Sequence, residues 1–290
     1  MSPGQISEER RRGRLAGMAA FVSAILLVAG EIWSQSINGE APAGNGPAAL
    51  RFLHRHGGAL IGASVLRVVG LVLFVAVAVH LYRAIKARRP DEPSFVLVMA
   101  VYGPLAWAAG TLAVSIALVV SSSHFVAREF QTIDAADHAF RTARLIGLAA
   151  FSGLLAVAFW LVKGCLDAMR IGLLSRFMGI VGVVIGPALV VTPFGAFLLP
   201  LWLLALGALF LGAWPRGLPP AWREGRAVPW PSSRAALQDA LDDRAAGTPN
   251  GEVDAVGPGV RPAEPSGAST APSGRAPSRS GARRKRKRRR

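Results

Sequence analysis

Arg67 sits about nine residues inside a long apolar run. A charge at that depth in a bilayer costs roughly 2.5–3.5 kcal/mol, so it is expected to face a partner within a helix bundle. Glu31, near the outer end of the first apolar run, is the one acidic residue inside any of the runs. An arginine reaches several ångströms along its stem, so an Arg67–Glu31 pair is expected. Such a pair fixes how the first two helices pack, or it offers a polar, anion-binding point on a solute path. The packing role is the favoured of the two.

Histidine is distributed unevenly. Of five, His54, His56, His124 and His138 fall in two segments on one side of the membrane, and Glu129, Asp134 and Asp137 share the second segment. Imidazole with carboxylate suits Zn²⁺ or Cu²⁺, which makes His124, His138, Asp134 and Asp137 candidate ligands. The spacing is poor for that purpose. Arg55 stands between His54 and His56, and Asp134, Asp137 and His138 fit an amphipathic turn equally well. Solvated loop residues are the favoured reading, and no metal is assigned. His80 stands alone near the inner end of the second run, whereas b-type haem needs two facing histidines, so no cofactor is expected. The single cysteine, Cys165, precludes a disulfide within the chain and reads as a small apolar filler. No HExxH, GxSxG, Walker-type loop, CxxC or pair of intramembrane carboxylates occurs, so an enzyme is not expected.

The elements that must position these groups are helices in a membrane. Hydrophobic residues make up 52% of the 290, with mean hydropathy +0.39. Apolar runs lie near 15–34, 58–82, 94–120, 144–163, 174–192 and 196–214. About 20 apolar residues cross the roughly 30 Å hydrocarbon core, and without strand-like alternation only helices satisfy the backbone there. The expected fold is all-α and integral to the membrane: a six-helix transmembrane bundle with a disordered basic C-terminal tail. Its divisions are a cytoplasmic N-terminal segment 1–14, a six-span domain 15–214 and a tail 215–290. Pro193 and Gly195 leave almost no loop between the last two runs, which form a re-entrant hairpin or a true pair of spans. The pair is favoured. The first run also resembles a signal peptide, but its length and its Glu31-Ile32-Trp33 end favour an uncleaved helix.

Orientation follows from the cations in the short loops. With the N-terminus inside, eleven Lys/Arg lie on the cytoplasmic side, among them Arg12, Arg88, Lys163 and Arg176, against five outside (Arg51, Arg55, Arg128, Arg141 and Arg144). From Pro215 onward, sixteen Lys/Arg oppose seven Asp/Glu, and Pro, Gly, Ser and Ala dominate. That composition cannot bury enough surface to offset chain entropy. A short helix over 232–246 and headgroup contacts by Trp222 and Trp230 are the exceptions expected there. The terminal run Arg283, Arg284, Lys285, Arg286, Lys287, Arg288, Arg289 and Arg290 gives each cation up to about 1 kcal/mol toward anionic lipid at the inner leaflet. The bilayer and its anionic headgroups are therefore the expected partners, with a protein partner or a homo-oligomer compatible with the small-residue pairs Gly58/Gly62, Gly182/Gly186 and Ala106/Gly110. Nucleic acid is the weaker reading. The tail can also act only as a stop-transfer and solubilising segment.

Three stretches carry a resemblance: Arg12-x-Arg14-Leu-Ala-Gly17, the approach to the fifth run through Ser175-Arg176-Phe177-Met178-Gly179, and 207–217 leading into Pro219-Pro-Ala-Trp222. They resemble uncharacterised six-helix bacterial membrane proteins of the domain-of-unknown-function type, over roughly residues 10–231. The resemblance implies a six-helix fold and no known activity. Twenty-nine Arg against four Lys point to a GC-rich genome and hence to a bacterial plasma membrane. The functional expectation is an interaction, regulatory or anchoring protein with a cationic cytoplasmic tail; the alternative is a small-solute permease or channel with its polar point at Arg67.

Overall fold

The computed structural model describes residues 3–192, 194–214, 217–228 and 241. Of two compact units, Met1–Ala236 and Leu237–Arg290, the second contributes only Leu241 to these. Pro193, Trp230, the expected helix over 232–246 apart from Leu241, and the terminal basic run 283–290 lie outside the described residues.

Every described element is helical: α1 (Pro3–Glu40), α2 (Pro47–Arg88), α3 (Ser94–Val126), α4 (Ile133–Arg170), α5 (Arg176–Val191), α6 (Gly195–Phe210) and a short α7 (Pro220–Glu224). Four helices, Arg11–Glu40, Pro47–Arg88, Ser94–Val126 and Ile133–Arg170, are long and apolar enough to cross a membrane. The other two apolar helices, α5 and α6, have 16 residues each, about 24 Å at 1.5 Å rise per residue.

The first four helices outrun the apolar stretches that announced them. Their connections shrink to 41–46, 89–93 and 127–132, so much of what hydropathy marks as loop is helix. The cause is amphipathicity. Polar ends of α2 and α4 still present Leu50 and Ala136 at helical spacing, and these close on Phe125 as a small separate core with Leu53 and Phe140 against it. Local signals then set the boundaries. Pro47 occupies the first turn of α2, where its missing N–H is not needed. Thr132 caps α4 by accepting from Ala135 N, and Ser175 caps α5 by accepting from Met178 N.

Consecutive helices run antiparallel and pack side by side, and α6 returns against α1 to close a ring. Phe74, Leu81, Val157, Leu161, Leu203 and Leu206 are buried in its core, and Trp160 meets Phe74 edge-on with ring centroids 5.5 Å apart. The outside is apolar as well: Leu15, Val22, Ile25, Val69, Val98, Leu148, Leu155, Ile180, Val184 and Leu201 are exposed. An outer surface as apolar as this matches lipid rather than water. Antiparallel order gathers Arg12, Arg83, Arg88, Arg89, Lys163 and Arg170 at one end of the bundle, the basic end.

The seam between α3 and α4 is the tightest. A Cβ on Gly153 would lie 2.8 Å from the carbonyl carbon of Ala106, and one on Gly103 would lie 2.8 Å from Val157 N. Gly110 abuts Ala150 in the same seam, so Ala106 and Gly110 do form a contact face. Gly182 and Gly186 likewise face Cys165 and Ala158, and Gly62 faces Trp33, whereas Gly58 has nothing within 4 Å. Gly58 takes no part in packing within the single chain.

Gly153→Val is expected to destabilise the protein by about 1–3 kcal/mol through overpacking. Gly58→Ala is expected to be neutral or slightly stabilising. Thermal unfolding of both variants in the same detergent checks this.

Candidate functional site

Arg67 and Glu31 meet as their residue types demanded. Arg67 donates to Glu31 at 2.6 Å, and the two side chains retain 23% and 15% of their exposure. Gly30 makes the approach feasible, since a Cβ there would lie 2.8 Å from Arg67 Cγ. The second Glu31 oxygen accepts from Gln35 at 2.8 Å. Arg67 Nε is buried and donates to nothing among the described residues. Beside the pair lies a cavity of about 50 Å³ lined by Leu27, Leu71, Trp107, Thr111, Ala196 and Leu199, so the start of α6 covers the pair. A short polar stretch continues along α2 and α3, where Ser64 and Ser115 share a buried 2.6 Å hydrogen bond.

A second ionic site lies at the basic end. Glu92 and Asp167 are 2% and 1% exposed. Lys163 bridges them, donating to Glu92 at 2.8 Å and to Asp167 in a short contact. Arg89 reaches Asp167 at 3.1 Å. Arg89, outside the helices, is held further toward its charged form by its hydrogen bond to Asp91 and then by the charges of Asp91, Asp167 and Glu92. This cluster ties the α2–α3 connection to α4. In the sequence Lys163 counts only as an orientation signal, and its i, i+4 spacing from Asp167 is the available clue to the cluster.

The third site joins three parts of the chain. Arg88, whose side chain is wholly excluded from solvent, pairs with Glu9 of α1 at 2.8 Å. It also donates to the carbonyls of Ala84 and Ala221 and lies over the Trp222 ring at 5.1 Å. Trp222 donates its indole N–H to Leu173 O at 2.9 Å, and Val228 N donates to Ile171 O at 3.1 Å. The boundary drawn at Pro215 is therefore corrected: the packed chain continues through Val228, because Trp222 is buried in protein rather than placed at lipid headgroups. His80 packs among aromatic rings. It stacks on Trp222, 5.8 Å between centroids, and meets Phe210 edge-on, while its Nε2 is buried without a hydrogen-bond partner among the described residues.

At the opposite end, His54 contacts Ser123 and His56 bonds Phe52 O, so neither joins the other histidines. His124 and His138 line one cavity of about 180 Å³, but Asp137 is taken by Arg141 and Arg144, and Asp134 does not line it. Among the described residues no three His, Cys, Asp or Glu side chains converge as a metal site. Cys165 is buried against Gly182. Searches against family models, curated proteins and solved structures returned no match.

Removing one partner of Arg67–Glu31 leaves a partly buried charge alone. Arg67→Leu and Glu31→Leu are each expected to cost about 1–3 kcal/mol, after discounting the figure for fully buried pairs for their residual exposure. The double variant should cost less than the two singles together. A double-mutant cycle on thermal unfolding reads the difference.

Proposed function

We propose a six-span protein of the bacterial plasma membrane, with both termini cytoplasmic, whose bundle anchors a cationic C-terminal tail for contact with anionic lipid headgroups or a protein partner. The observation that carries this reading is the Arg88–Trp222 joint. It fastens residues 217–228 to α1, α2 and the α4–α5 connection, so the chain is held through Val228 at a defined point among the bundle's cations. A tail whose charges act within a Debye length of a surface benefits from such a fixed origin.

The six-span count rests on α5 and α6 forming an apolar antiparallel pair inside the ring. At about 24 Å each they are short for a 30 Å core, a mismatch that local bilayer thinning accommodates at modest cost. The orientation is supported by the gathering of Arg12, Arg83, Arg88, Arg89, Lys163 and Arg170 at the end where both α1 begins and α6 finishes. The proposed role is binding, not catalysis.

A second reading, a small-solute permease, is favoured by the unpartnered Arg67 Nε beside its cavity. Affinity capture from native membranes separates the two. Full-length protein is expected to retain partners that a version ending at Pro231 loses, with Trp222→Ala reducing the yield. Equal, empty captures would reject the anchoring role. Solute uptake abolished by Arg67→Leu and retained by the truncated chain would then establish the permease.

A further inference from the structure

The cavity that His124 and His138 share has a lining that a metal does not explain. Its polar side chains are Ser121, His124 and Arg128 from the end of α3 and just beyond, and His138 and Thr142 from α4. All five can donate, and among the described residues none has a side-chain hydrogen bond or ion pair. No carboxylate lines the cavity. The nearest acid in sequence to His138, Asp137, is engaged by Arg144 in a short contact and by Arg141 at 3.7 Å. Phe125, 2% exposed, forms the floor with Ala135 and Ala139.

A cation fits this inventory poorly: no carboxylate lines the cavity to offset its charge, and the Arg128 guanidinium would repel it. The inventory matches an oxyanion instead. Guanidinium N–H groups, hydroxyls and imidazole N–H groups are the donors that surround tetrahedral oxygen-bearing anions, and charge-assisted bonds of this kind are the strong ones. The volume, about 180 Å³, is several times the roughly 30 Å³ share of one water. An apolar floor also lowers the local dielectric beneath the donors, which strengthens their pull on an anion.

We propose that the cleft between the end of α3 and the start of α4 is an oxyanion site that takes a phosphate group, with Arg128 as the charged clamp and His124, His138, Ser121 and Thr142 as surrounding donors. The phosphate belongs to a soluble monoester or to a lipid headgroup. The site stands at the end of the bundle opposite the Arg88–Trp222 joint and is independent of the anchoring role.

The test is equilibrium binding of radiolabelled inorganic phosphate to the purified full-length protein in neutral detergent. Saturable binding is expected, weakened about tenfold or more in Arg128→Gln and in the His124→Ala/His138→Ala variant, as loss of charge-assisted bonds requires. Arg83→Gln, at the opposite end, should bind as the parent does. Short-chain phosphatidate competing better than glycerol phosphate assigns the site to lipid headgroups, and equal competition assigns it to soluble monoesters. Phosphate should also protect His124 and His138 from diethyl pyrocarbonate in the unsubstituted protein, a readout that needs no variant to fold. No saturable phosphate binding, binding unchanged in both variants, or no protection would overturn the proposal.

Discussion

Where α3 meets α4, Gly103, Gly110 and Gly153 leave no room for an added carbon, so the two backbones run in direct contact. In lipid this kind of closeness drives helix association, because neighbouring acyl chains are as apolar as any leucine and offer no hydrophobic reward for burial. Gly17 and Gly207 repeat the device where α6 closes the ring on α1, and Gly182 and Gly186 repeat it between α4 and α5. With backbones this close, helix register is set by steric fit. The polar groups then meet or miss according to that register.

Three consequences follow along the bundle. Near the tip of the α5–α6 pair, register brings Arg67 to Glu31 over Gly30. At the basic end it brings Asp167 of α4 to the connection carrying Arg89 and Glu92, and Lys163 makes the enclosed carboxylates tolerable. At the opposite end it brings His124 and His138 to one cleft while the following turn of α4 removes Asp137. Charge is thus paired wherever it is enclosed, as a low dielectric requires, and donors without partners collect in an exposed cleft.

The basic end differs in construction. Elsewhere helices touch mainly through small and apolar residues, but there Arg88 does the joining by hydrogen bonds to Glu9 and to the carbonyls of Ala84 and Ala221. A guanidinium suits this position because its planar fork serves several acceptors at once and its face stacks on Trp222. Lysine, a single compact charge, would not make the same joint.

Taken alone, the amino-acid order determined that this chain is helical and apolar on the scale of a membrane, that Arg67 needs a partner and has Glu31 within reach, and that cations recur between alternate apolar runs. Those features are local or follow from burial cost, so composition and spacing reveal them. Tertiary structure alone decided the rest. Helix lengths beyond the apolar runs depend on faces such as Leu50, Phe125 and Ala136, which close on one another only across helices. Trp222, expected at headgroups, is buried because Leu173 O and Arg88 stand where the chain turns back. The Glu92–Lys163–Asp167 cluster and the His124–His138 cleft each join residues from separate elements. Spacing along a chain cannot express such a meeting, because it is set by how neighbouring helices slide to fit their smallest residues.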